Sequence, residues 1–187
     1  MKKISFLLFA LCTSVAAFAQ TWTADKAHSK VGFTVTHLAI SEVDGNFQTF
    51  DAKITSSKED FSDAIFEFSA DIASVKTGAD GRDAHLQKPD MFDAAQFPKM
   101  TFKSTGISKV ADKKYKLTGD LTIKGVTKKI TLDLALLGTT VDRANKKVAG
   151  FKATGTIKRT DFGVGAMPSL VVSEDIELRA SGEFKAN

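Results

Sequence analysis

From Lys114 to Lys124 the sequence alternates without a slip. Tyr115, Leu117, Gly119, Leu121 and Ile123 occupy one phase; Lys114, Lys116, Thr118, Asp120, Thr122 and Lys124 occupy the other. A strand sends successive side chains to opposite faces, so this run can bury its apolar half and wet its polar half only as part of a sheet covered on one side. Wound as a helix, the same residues would scatter apolar groups around the whole circumference. The pattern recurs along the chain. Val31, Phe33 and Val35 alternate, with Trp22 and Ala24 upstream, and Val43, Gly45 and Phe47 follow. The phase then slips to Phe50, Ala52 and Ile54, which predicts a bend or bulge near Gln48-Thr49. Ala64 to Ile72, Met100 and Phe102, Ile130 to Leu136, Ala149 to Ile157 and Ile176 to Phe184 continue the series. That makes about eight strands with short connections, an antiparallel sandwich or barrel. Several strands approach ten residues and carry glycine on the apolar phase, which suits a closed, bent sheet, so a barrel is expected.

The outward phase is dense in Lys, Asp and Glu, and the chain has one Trp and one Tyr. A membrane barrel would turn apolar residues to lipid between aromatic girdles, so this barrel keeps its apolar phase inside. An eight-stranded barrel is either filled by side chains or wide enough for one small ligand, and periodicity leaves the two open. Mixing large Phe with Ala70, Ala153, Gly119 and Gly155 on the inward phase points to room beside the rings.

One stretch breaks the alternation: Asp80 to Ser104, with charges crowded around His85 and prolines at 89 and 98. Asp80 or Asp83 is expected to cap a short helical turn over Ala84 to Lys88, stopped by Pro89. Asp90 is expected to start a second turn across Met91, Phe92 and Ala94. Leu86, Met91, Phe92 and Phe97 in this insertion need burial, and the end of a barrel is the available apolar surface.

The chain begins Met1-Lys2-Lys3, runs apolar from Ile4 to Phe18 and reaches Ala17-Phe18-Ala19, the pattern of a secretory signal peptide cleaved before Gln20. The run is too short for a membrane span. Leu11 before Cys12 argues against a lipid anchor, which needs a small residue there. The expected mature domain is residues 20–187. Losing Lys2 and Lys3 lowers the net charge from +4 to +2, too near neutral to imply nucleic acid. The only cysteine, Cys12, leaves with the leader. The domain therefore relies on its core, and no stable membrane insertion is expected. The expected location is periplasmic.

Catalytic motifs are missing from the pattern: no G-x-S-x-G, no glycine-rich phosphate loop, no metal-spaced Cys/His cluster. Three histidines are present, at 28, 37 and 85. Asp25 lies three residues before His28 and Asp83 two before His85; local hydrogen bonds that fix loops are the expected use of both pairs. The residues point to no metal and no cofactor.

Several segments nevertheless form a set. They are His28-Ser29-x-Val31-x-Phe33-x-Val35-x-His37-Leu38; Arg82-Asp83-Ala84-His85-Leu86 with Pro89-Asp90-x-Phe92-Asp93, Pro98 and Thr101-Phe102-Lys103-Ser104; Gly119 to Thr127; and Arg159-x-Asp161-Phe162-Gly163. Together they resemble the YceI-like family of secreted proteins across the whole mature chain. Asp44 stands where a basic residue is common, and Lys129 where a proline often follows the Thr-Lys pair. The resemblance implies an extended, lipocalin-like antiparallel barrel with a helical insertion, enclosing a long apolar ligand: a polyisoprenoid, a quinone-like chain or a fatty-acid amide. Phe33, Phe47, Phe66, Phe68, Phe102, Leu121, Phe151, Ala153 and Phe184 are then the expected ligand-lining residues. Arg82, Asp83, His85 and Asp90 are expected to form a polar network holding the insertion against one barrel end. Burying each CH₂ is worth about 0.8 kcal/mol, so a few isoprene units offset several kcal/mol of ordering, and no catalytic group is needed. Two other functions stay open: an enzyme acting on such a lipid with His85, Asp83 and Asp90 at the mouth, or a ligand-free structural or stress protein. The sequence leaves a homodimer open.

Overall fold

The strands follow the alternation. β1 (Gln20–Ala24), β2 (Lys30–His37), β3 (Ser41–Phe47), β4 (Phe50–Ser56), β5 (Ile65–Asp71) and β6 (Val75–Lys76) precede the helix α1 (Asp80–Leu86). Then come β7 (Lys99–Ala111), β8 (Lys114–Ile123), β9 (Val126–Val141), β10 (Lys147–Lys158) and β11 (Val172–Ala186). This computed structural model describes residues 19–187, so the expected leader, apart from Ala19, lies outside the described residues.

The eleven segments make an eight-stranded barrel because three of its strands are broken. β1 pairs with β4 and β2 with β3; β4 pairs with β5 and β3 with β6. So β1–β2, β3–β4 and β5–β6 each trace one antiparallel path. The first is interrupted by a 3-10 turn at Lys26–His28, the second at Gln48-Thr49, and the third by a 3-10 turn at Ile72–Ser74. The last two breaks face each other and share bonds: Gln48 N–H donates to the Ser74 carbonyl and Asp71 N–H to the Thr49 carbonyl. The phase slip in the sequence is this break. β1 also pairs with β11, where Trp22 faces Ala186 and Ala24 faces Phe184, closing the ring.

The inward phase is the buried one. In β8, Tyr115, Leu117, Leu121 and Ile123 are buried, while Lys114 and Lys116 lie exposed. Each such apolar side chain contributes about 1.5–3 kcal/mol by leaving water. At one barrel end the β4–β5 loop inserts Phe61, which holds a left-handed φ of 57°. Its ring sits 5.2 Å from that of Trp22 and 5.0 Å from that of Phe151. The packing sustains a backbone conformation that a bulky residue seldom adopts. The Tyr115 hydroxyl donates to the Asp60 carbonyl, and Asp63 accepts from Ser56, Ser57 and Lys58 N–H in the same loop. Burial raises the Asp63 pKa, but those hydrogen bonds outweigh it and bring the group to about 2.

The insertion covers the other end, with its local structure shifted from expectation. Helix α1 starts at Asp80 and stops at Leu86, and its N-cap is Ala79 with no side-chain cap. Asp83 does not cap it. Its carboxylate instead accepts from the backbone N–H and hydroxyl of Thr77, at 2.8 and 2.7 Å, donors just upstream of the helix. After Pro89 the chain forms turns and no second helix. Asp93 takes a φ of 54°, and its carbonyl accepts from Gln96 and Phe97 N–H. Met91 is buried, and Leu86 and Phe92 pack half-buried on the barrel core.

Candidate functional site

Inside the barrel lies a cavity of about 250 Å³. All nine sequence-predicted residues, Phe33, Phe47, Phe66, Phe68, Phe102, Leu121, Phe151, Ala153 and Phe184, stand on its wall. They are not equally enclosed. Phe47, Phe102, Leu121, Phe151 and Phe184 are buried, whereas Phe33, Phe66, Phe68 and Ala153 keep accessible surface although they point inward. Surface on inward side chains of a closed sheet faces a hollow, so this barrel is not filled. Phe66, Phe61 and Phe184 stack edge-on around Phe151, at 5.4, 5.0 and 5.9 Å, a packed aromatic floor near the Trp22 end. The cavity extends from there towards Leu86, Met91 and Phe92 of the insertion, which also line it.

The inward glycines do not make this space. A Cβ at Gly119 would fall 2.4 Å from the Phe102 ring, one at Gly45 2.2 Å from the Phe33 ring, and one at Gly155 2.6 Å from Leu132. Each glycine receives a side chain from the neighbouring strand. Ala70, expected to leave room, is buried outside the cavity wall. Ala153 does face the hollow.

The lid over the insertion end is held by Arg159, which the sequence placed in the Arg159-x-Asp161-Phe162-Gly163 segment without giving it a role. The residue is 5% exposed. Nε donates to the Ser173 carbonyl, Nη1 to those of Val164 and Gly165, and Nη2 to those of Met167 and Val172. All five guanidinium N–H groups are thereby engaged. They gather the segment from 164 to 173 across the opening, where Gly165 N–H donates to the Asp90 carbonyl and Lys124 Nζ to that of Gly163. Parity would have found this residue. Arg159 falls two positions after inward Ile157 and continues the apolar phase of β10 with a charge.

The four polar residues expected to act together separate into two groups. Arg82 donates to the Thr77 hydroxyl and carbonyl, so Arg82 and Asp83 converge on Thr77. Asp83 is buried, with Lys76 Nζ at 3.4 Å. Bonds to Thr77 hold the Asp83 carboxyl below the usual range. His85 Nε2 pairs with Asp90 Oδ2 at 2.9 Å on the surface, and among the described residues no hydrogen bond joins the two groups. The reason is directional: Asp83 faces the chain before the helix, His85 the turns after it. None of the four lines the cavity.

At the β1–β2 break, His28 Nδ1 lies 3.0 Å from Asp25 Oδ2, and Glu183 stands close by. Lys185 Nζ, 2.8 Å from the same Asp25 oxygen, already supplies positive charge there. Hydrogen bonds from Lys185 and then His28 hold the Asp25 carboxyl well below the ordinary range. The Asp25 hydrogen bond and charge in turn raise the His28 pKa. This cluster ties the 3-10 turn to β11. Among the described residues no helix is long and apolar enough to cross a membrane.

A family profile described as the YceI-like domain matches residues 22–184. A UPF0312 protein of Staphylococcus aureus (strain bovine RF122 / ET3-1) is 33% identical over 169 residues, covering 87% of this chain and 96% of its own. The crystal structure of the Campylobacter jejuni YCEI protein superposes with a TM-score of 0.74 at 38% identity, over 87% of this chain and 96% of that one. A polyisoprenoid binding domain from Saccharophagus degradans, at 17% identity, shares the fold with a TM-score of 0.65 over 89% of this chain and 98% of that one. On the match across its barrel, insertion and lid, this chain belongs to the YceI-like family.

Proposed function

We propose that the protein holds a long apolar lipid of polyisoprenoid type inside its barrel and carries it in the periplasm once Met1–Ala19 has been removed. The observation that carries this reading is the hollow itself, walled by inward side chains that keep accessible surface. The Saccharophagus degradans domain of the same fold, described as polyisoprenoid binding, supports the ligand class. The cavity lies just under the roughly 300–1,000 Å³ usual for ligand pockets. A long prenyl chain therefore also needs space now filled by Met91 or Phe92 beneath the lid. The enzyme reading finds no support in the geometry, since none of Asp83, His85 and Asp90 lines the hollow. The test is mass spectrometry of an organic extract of protein purified from a Gram-negative host. A prenyl-type lipid in stoichiometric amount is the expected result. An extract free of lipid, from protein that also takes up no added isoprenoid, refutes the carrier and favours a ligand-free role. Intact mass of the exported protein should begin at Gln20; a mass retaining Met1 refutes the export route.

A further inference from the structure

The barrel wall carries a seam between its first two paths. Their pairing stops where Thr23 faces Lys53 and resumes where Gly32 faces Asn46. Between those pairs, residues 24–31 and 47–52 are not paired with each other. The first path has two more residues there than the second, because Asp25 Oδ1 accepts from Ala27 N–H and folds Lys26–His28 into its 3-10 turn. At about 3.3 Å per residue, the second path leaves up to 20 Å of edge unpaired. An outward side chain borders a hollow only where the wall beside it is open. On the strands flanking this seam, outward-phase Lys30, Arg179, Ser181, Lys53 and Glu67 line the cavity; on β7 to β10 only inward-phase residues do. β9 and β10 also part beyond the pair of Asp133 and Thr154, but no outward residue reaches the hollow there. Ala24, Val31 and Ala52, on the inward phase of the seam itself, are half-buried. Among the described residues one side-chain polar contact spans the seam, the pair of Lys26 Nζ and Asp51 Oδ1 at 2.8 Å, with side chains 62% and 71% exposed. So exposed a pair adds little stability. The lid, by contrast, is pinned by the five bonds of Arg159.

We propose that this seam is the ligand's entry site: the lipid passes sideways into the hollow between residues 24–31 and 47–52 while the Arg159 lid stays shut. Opening the seam parts one exposed ion pair and breaks no strand pairing, whereas opening the lid strips a buried guanidinium of its carbonyls. The edges suit an apolar chain. Ala24, Val31 and Ala52 meet it on the inward phase, and Lys26, Lys30 and Asp51 stay in water on the outward one. This inference rests on the carrier reading above and adds the route by which the chain is loaded.

Residues 20–187 contain no cysteine, so a single introduced thiol is labelled cleanly. Lys26→Cys and Asp51→Cys place one on each edge of the seam, and Leu170→Cys places one on the exposed face of the lid. Each variant of the full mature protein is modified with a bulky polyethylene-glycol maleimide, and its uptake of retinol, a fluorescent isoprenoid, is followed by stopped flow. A label at either seam position should slow uptake by about tenfold or more against the unlabelled variant, with the final amount bound unchanged, while the label at Leu170 should change the rate by less than about twofold. The two seam variants stand in for each other should one misfold. Slowing by the Leu170 label alone assigns entry to the lid. That result, equal slowing by all three labels, or slowing by none overturns the seam while the carrier reading stands. Wild type that takes up no retinol overturns both.

Discussion

Replacing Arg159 by methionine tests whether a single buried cation closes the barrel. Arg159 is 5% exposed, and its guanidinium is bonded to five backbone carbonyls. Each hydrogen bond to a charged group is worth about 1.5–3 kcal/mol. Against their sum stands the desolvation of the guanidinium, several kcal/mol. Methionine fills much of the volume but donates nothing, so the five carbonyls must find water or stay unpaired. Part of the lid lies near solvent and can rehydrate, which places the net loss at about 3–5 kcal/mol, as for other broken buried charge networks. For a domain of this size each kcal/mol moves the melting temperature by about 2–4 °C, so Arg159→Met should melt about 6–20 °C below wild type. Arg159→Lys, with three donors in place of five, should fall between. Differential scanning calorimetry gives the melting temperature, and limited proteolysis reports on the lid: cleavage should concentrate between Gly163 and Val171. An Arg159→Met protein that melts with wild type and resists cleavage would show that apolar packing of Phe162 and Val164 closes the lid unaided.

Ala153→Phe places a ring in the hollow, so the purified variant should carry less extractable lipid while its melting temperature holds; a drop matching the about 1–3 kcal/mol of an overpacked core would mean there is no usable space. Asp83→Ala should lower the melting temperature by orphaning the Thr77 N–H and freeing α1 from the β6 end, whereas His85→Ala, which breaks a surface pair, should leave it nearly unchanged; equal effects would refute the division into two groups. Asp63 has a pKa of about 2 in the folded protein against about 3.9 when unfolded. Its contribution is therefore fully present above pH 4 and is lost as pH falls from there towards 2. Asp63→Asn should accordingly melt below wild type at pH 7, with the gap narrowing as the two are titrated from pH 4 to pH 2; a gap constant with pH would assign the effect to lost packing.

By itself the sequence determined an all-β chain with one buried face per strand, because a period of two admits one burial pattern and the phase tells inside from outside at each position; long strands with inward glycine then favoured a barrel over a sandwich. The break at Gln48-Thr49 was legible for the same reason, since a slip of one residue exchanges the faces. So were the nine residues on the cavity wall, all on the inward phase. Parity also held a signal that composition hides: Arg159 extends an apolar phase by one polar step. Tertiary structure alone decided whether the barrel is hollow, because that depends on how side chains from adjacent strands share volume. Gly119 and Gly155 read as space along their own strands, yet Phe102 and Leu132 reach across to fill it. The insertion has no period to read. Its Asp83 turned back to Thr77 while His85 turned forward to Asp90, a choice made by which donors the packed chain brings within three ångströms, and spacing along the sequence carries no record of it.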